Sequence, residues 1–128
     1  MIVVRFPDVE PWFPLPRIKK KVIEVEKFIR SISYGKVRLS TMTIGWLELP
    51  APLDDYKVSP FNFEVDRQRV RRLLVDSLSK ARTVVDPNNY DYIWVVVGTI
   101  TRPGRGYGMI AYAANPGMLS GVRHGRAR

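Results

Sequence analysis

"YDYIWVVVGTITRPGRGYGMIAYAANPG", residues 90–117, joins a nearly unbroken apolar run to a cluster of three glycines, Gly104, Gly106 and Gly108. The glycines either cradle a phosphate or bend one strand into the next. Their G-x-G-x-G spacing is not the dinucleotide fingerprint, and no Lys-Ser/Thr pair follows as a P-loop requires. The residues after them, 109–114, read "MIAYAA", a short strand, so no helix N-terminus stands there to aim its amides at an anion. The cluster therefore reads as a bend. "YIWVVVGTI" before it predicts a strand buried on both faces, at the centre of a sheet covered by helices.

Working back along the chain, "IVVRF" at 2–6 is rich in β-branched residues and stops at Pro7 and Asp8, the pattern of a buried strand. Pro7, Pro11, Pro14 and Pro16 then impose a loop, from which Trp12 and Phe13 are expected to fold back onto the core. Ile18, Val22, Val25, Ile29 and Ile32 recur every three or four residues and predict a helix over 17–33, stopped by Gly35. "KVRLSTMTIGWLELP", 36–50, alternates as a strand with a break near Gly45. A proline-rich loop follows, and then a second helix over 64–84, capped by Asn62 or Asp66, with Val70, Leu73, Leu74, Leu78 and Ala81 facing inwards. Helical crossovers between the first three strands make them parallel, whereas the short glycine-rich connection suits an antiparallel return. The expected fold is α/β: a mixed, mostly parallel four-stranded sheet with two helices and an antiparallel edge strand.

The 128 residues fit one domain, expected over 1–121, with 122–128 a basic unstructured tail. A 45% hydrophobic and 11% aromatic composition excludes a chain too polar to form a core. No apolar run reaches the ~20 residues of a membrane-spanning helix, and Met1 runs straight into a strand rather than a signal peptide. Cysteine is absent, so disulfides and thiolate metal sites are excluded.

Catalytic chemistry finds little to work with. His124 is the one histidine and stands in the basic tail, whereas an open zinc site usually takes three protein ligands. With no Cys and no G-x-S-x-G, no nucleophile–base pair assembles. Asp8, Asp54, Asp55, Asp86 and Asp91 all fall at turns or element ends, where capping explains them. Charge leaves a second possibility open. Twenty-one Lys and Arg against 12 Asp and Glu give a formal +9, and the runs Lys19–Lys21, Arg67–Arg72 and Arg123–Arg128 make a small basic nucleic-acid-binding domain the rival reading.

The order of several short motifs is more specific than any of them alone. Phe6, Pro7 and Asp8 follow the first strand; Ser33, Tyr34, Gly35 and Lys36 end the first helix; Gly45, Trp46, Leu49, Pro50 and Tyr56 mark the second strand and its exit; Tyr90, Asp91, Val95, Val96, Val97 and Gly98 mark the third. In this succession, over about residues 1–121, the chain resembles the N-terminal part of the catalytic domain of immune-inhibitor-A-type zinc metallopeptidases.

The resemblance implies a zincin-like N-terminal subdomain and a secreted protein. It also implies that an edge strand, here Met109, Ile110, Ala111, Tyr112 and Ala113, pairs with the extended backbone of a peptide or protein substrate. Gly104–Gly108 would form the rim above it. The family's zinc-binding helix belongs after "NPGMLSG", and these residues hold neither its paired histidines nor its glutamate. No cofactor is therefore expected in this chain, zinc being expected in a full-length relative. The chain is expected to be inactive alone, a truncated or incomplete domain that self-associates through an exposed sheet edge.

Overall fold

The computed structural model describes residues 1–58 and 65–99. Three strands, β1 (Ile2–Arg5), β2 (Ile44–Glu48) and β3 (Val95–Val97), form a parallel sheet in the order β2-β1-β3, with helices α1 (Leu15–Ile32) and α2 (Arg67–Ala81) in the crossovers. The first crossover steps from β1 to one side of the sheet, and the second steps back across β1 to the other. Two right-handed crossovers running in opposite directions must place their helices on opposite faces. That is the arrangement found: Val3 and Val96 pack with Ile18 and Val22 of α1, while Ile2 and Val4 pack with Val70, Leu73 and Leu78 of α2.

β1 is the sheet's centre among the described residues, and its Val3 and Val4 are fully buried. The run "YIWVVVGTI", expected to be buried on both faces at the sheet's centre, supplies β3, which flanks β1 on the side opposite β2. Among the described residues of that run, Val95–Val97 form the strand, and all three are half-buried. Strand order follows from the crossovers, which leave no mark in either run. The fourth, antiparallel strand expected at 109–114 lies outside the described residues.

The second strand is also shorter than expected, Ile44–Glu48 rather than most of 36–50. Its predicted break is present. Ile2 faces Ile44 but Val4 faces Leu47, so β2 carries one extra residue. Gly45 lies there with φ 144°, and a Cβ on it would meet the Val3 carbonyl and come within 2.8 Å of the Val3 Cβ, so only glycine fits.

Helix ends follow local chemistry. Pro14 precedes α1 and Pro16 sits in its first turn, where a missing amide removes no intrahelical bond. Tyr34 and Gly35, with φ of 53° and 75°, turn the chain out of α1, and the Gly35 amide donates back to the Arg30 carbonyl. At α2 the N-cap is Asp66, whose carboxylate accepts from the Gln68 and Arg69 amides at 2.9 and 3.2 Å.

The two helices are held unequally. α2 buries Val70, Leu73, Ser77, Leu78 and Ala81, whereas α1 buries only Ile18 and Val22. Full burial of one Val, Leu or Ile stabilises by roughly 1.5–3 kcal/mol, so α1 is anchored through its first half. Val25 and Ile32, expected on its inner stripe, are exposed. Eighteen residues span about 27 Å, and a five-residue strand only about 17 Å. The helix therefore outruns the sheet. Of the loop aromatics, Phe13 does return to the core against Trp46, while Trp12 stays exposed.

Candidate functional site

The sheet has two edges among the described residues, and they differ. On the β3 side, the Ile2 amide donates to the Trp94 carbonyl at 2.7 Å and the Gly98 amide to the Val4 carbonyl at 2.8 Å. Backbone groups alternate sides along a strand, so Val95 and Val97 turn their amides and carbonyls away from β1. The edge is three consecutive valines with neither charge nor proline nor bulge. The β2 edge, in contrast, is interrupted by the bulge at Gly45 and ends in Glu48, which pairs with Arg5 at 3.1 Å. Bulges and charges are the usual means of blunting an edge. β2 has both and β3 has neither.

Gly98, just beyond β3, is shaped by a long-range contact. A Cβ there would lie 2.6 Å from the Trp46 ring, which reaches over from β2 and meets Phe13 with ring centroids 6.2 Å apart. The Gly98 carbonyl in turn accepts from the Trp12 amide at 2.8 Å. Gly45, Trp46 and Gly98, which carry part of the sequence resemblance, thus act together to lay β2, β1 and β3 side by side under α1.

In open parallel sheets, ligands favour the crevice at the C-terminal ends of strands whose connections leave to opposite faces. Here that is the gap between β1 and β2, and it is stitched shut. Asp8 accepts from the Leu53 amide at 2.9 Å, and the Phe6 ring lies 5.6 Å from that of Tyr56. Behind it runs a polar network. The buried Tyr56 hydroxyl donates to Asp76 at 2.7 Å, Arg72 covers the Tyr56 ring at 5.4 Å, and Arg72 pairs with Asp55 at 3.0 Å. Burial, reinforced by the bond to Asp76, pushes the Tyr56 phenol up to about 12. A neutral phenol locked in this way holds α2 to the turn at Leu53–Tyr56.

At the other end of the strands, Ile2, Ile44, Ala81, Tyr90 and Ile93 line an apolar cleft of about 20 Å³, room for one water. No group of three or more His, Cys, Asp or Glu among the described residues could hold a metal ion. Of the expected capping aspartates, Asp8 bonds as above, Asp86 accepts from the Asn88 amide at 3.0 Å, and Asp54 pairs with Lys57 at 2.5 Å. Sequence reading missed Asp76, because nothing in the helical pattern marks it as the partner of a tyrosine twenty residues earlier.

The basic runs do not merge. Lys19–Lys21 ride on α1 and Arg67–Arg72 on α2, on opposite faces of the sheet, and within the second run Arg69 and Arg72 engage Asp66, Asp55 and Asp76. Met109, Ile110, Ala111, Tyr112 and Ala113, the glycines Gly104–Gly108, His124 and the tail arginines lie outside the described residues. No family model matches this chain, and comparison with curated proteins and with solved structures likewise finds no match.

Proposed function

We propose that the chain is the N-terminal, sheet-forming part of an immune-inhibitor-A-type zinc metalloendopeptidase domain. In it, the segment Met109–Ala113 adds antiparallel to the outer edge of β3 as a fourth strand and offers its far edge to an extended peptide substrate. The observation that carries the proposal is the unblunted Val95–Val97 edge, since β3 is the last described strand before the glycine cluster and its outward amides and carbonyls call for a partner. The placement of Gly45, Trp46 and Gly98 in one packing unit supports it as well, because these are residues on which the resemblance rests.

The chain's own residues do not fit a zinc site. With one histidine and no cysteine, they cannot supply the paired-histidine set of such an enzyme, so no hydrolytic step is assigned to them. Their role is to hold the sheet and to bind substrate backbone, with the metal carried by a helix outside these 128 residues.

Two measurements test the proposal. A fluorescent extended peptide should bind the chain weakly, and Ala111→Pro should abolish that binding by removing an edge amide. Calorimetric titration with zinc should show no stoichiometric tight site. Tight zinc binding with casein cleavage by the chain alone, or peptide binding indifferent to Ala111→Pro, would refute it.

A further inference from the structure

The outward side of α1 carries its charge in one row. Buried Ile18 and Val22 fix which side of the helix faces the sheet, and at about 3.6 residues per turn Lys20 and Lys27 lie opposite them. Lys19, Ile23, Lys27 and Arg30 follow one another at spacings of four, four and three residues, so they run up the helix beside Lys20. All five are exposed. From Lys19 to Arg30 the row is roughly 16 Å long.

The row keeps its charge. Among the described residues, Lys19, Lys20, Lys27 and Arg30 form no ion pair. The two acids of α1 are engaged at the borders of the row, Glu24 with Lys21 at 2.7 Å and Glu26 as acceptor from the Thr41 amide at 2.8 Å. Lys20 and Lys27 act on Glu24 only at longer range, so the row stays net positive. On α2, in contrast, Arg69 and Arg72 are neutralised by Asp66, Asp55 and Asp76.

A chain of formal charge +9 attracts polyanions generally, and the make-up of the row selects among them. Its one apolar member is Ile23, 51% exposed, whereas a helix seated in a bilayer interface needs a whole apolar face. The row has no aromatic ring, so it cannot stack the splayed bases of a single strand. It also lacks the Trp or Tyr anchors on which protein interfaces turn. Four exposed cations along a rigid rod do suit a duplex, which presents about one charge per 1.7 Å of its axis. We infer that Lys19, Lys20, Lys27 and Arg30 bind the phosphate backbone of double-stranded nucleic acid without reading its sequence. The inference is independent of the peptidase proposal, which concerns the β3 edge.

The probe is a labelled DNA duplex of roughly 20 base pairs, titrated with the full chain by fluorescence anisotropy between about 50 and 200 mM salt. Affinity should fall with salt at a log–log slope of about −3.6 or steeper, a loss of roughly 100-fold over that range, as four phosphate contacts require. A duplex of unrelated sequence should bind equally. Lys20→Gln with Lys27→Gln should weaken binding at least tenfold at the lower salt and flatten the slope by about 2, with the thermal midpoint unchanged because neither side chain is buried. Arg67→Gln with Arg82→Gln removes the same charge from α2, on the other face of the sheet, and should leave the slope as it is. The inference is overturned if the Lys20 and Lys27 variant binds as wild type does, if the α2 variant loses as much, or if a single strand binds more tightly than the duplex. Phosphatidylglycerol vesicles that displace the duplex, and lose that ability against Ile23→Ser, would overturn it too.

Discussion

At the scale of single residues, two contacts decide more than their size suggests. Gly98 exists so that the Trp46 ring can cross β1 and rest on it; replacing it with alanine should cost roughly 1–3 kcal/mol through overpacking. In a double-mutant cycle that penalty should largely vanish once Trp46 is alanine, and an equal penalty in both backgrounds would show that the ring is not the obstacle. Tyr56 makes a different kind of prediction. Its phenol is raised from 10 to about 12 by burial and the bond to Asp76, so between those values the unfolded chain ionises while the folded chain keeps its proton. Stability from this group is therefore complete below pH 10 and lost as pH climbs through 12, a change of roughly 2–3 kcal/mol. Alkaline unfolding of Tyr56→Phe should lack that component, and identical pH profiles for the two proteins would contradict the assignment. The role of Gly45 beside Trp46 was legible in sequence, because a glycine interrupting an alternating strand signals a bulge. The Trp46–Gly98 contact was not, because its partners are fifty-two positions apart and neither has a local pattern.

At the scale of elements, both helices and the parallel sense of three strands could be read from apolar spacing and from the length of the connections. What could not be read is how much of each element the tertiary structure uses. A stripe of Ile18, Val22, Val25, Ile29 and Ile32 predicts an inward face equally well whether the sheet beneath is long or short; here strands of three to five residues cover only the first half of it. The unequal anchoring has a measurable result. Amides of Lys27–Ile32 should exchange with solvent markedly faster than those of α2 between Leu73 and Ala81, and equal protection would mean that the overhang is covered. α2 depends instead on its start, since no acidic residue lies in its first turn and Arg67 opposes the dipole there. Asp66→Ala should cost about 1 kcal/mol, read as a lower thermal midpoint. An unchanged midpoint would remove Asp66 as the cap that matters.

At the scale of the whole molecule, the sheet order β2-β1-β3 follows from two crossovers of one hand, and it is this order that sets the functional question. Among the described residues it puts the bulged, charged strand at one edge and the bare valine strand at the other, next in sequence to the glycine cluster. The candidate substrate strand, expected from the apolar segment 109–113, lies outside the described residues, and a sequence that announces "YIWVVVGTI" as a strand says nothing of which side it leaves open. The most direct test is an NMR experiment on the 128-residue chain that combines amide exchange at Val95 and Val97 with cross-strand contacts to residues 109–113. Protected Val95 and Val97 amides, with antiparallel Hα–Hα contacts between the two segments, are the predicted result. Amides at Val95 and Val97 that exchange as in an unfolded chain, or contacts from 109–113 to the β2 edge, would contradict it.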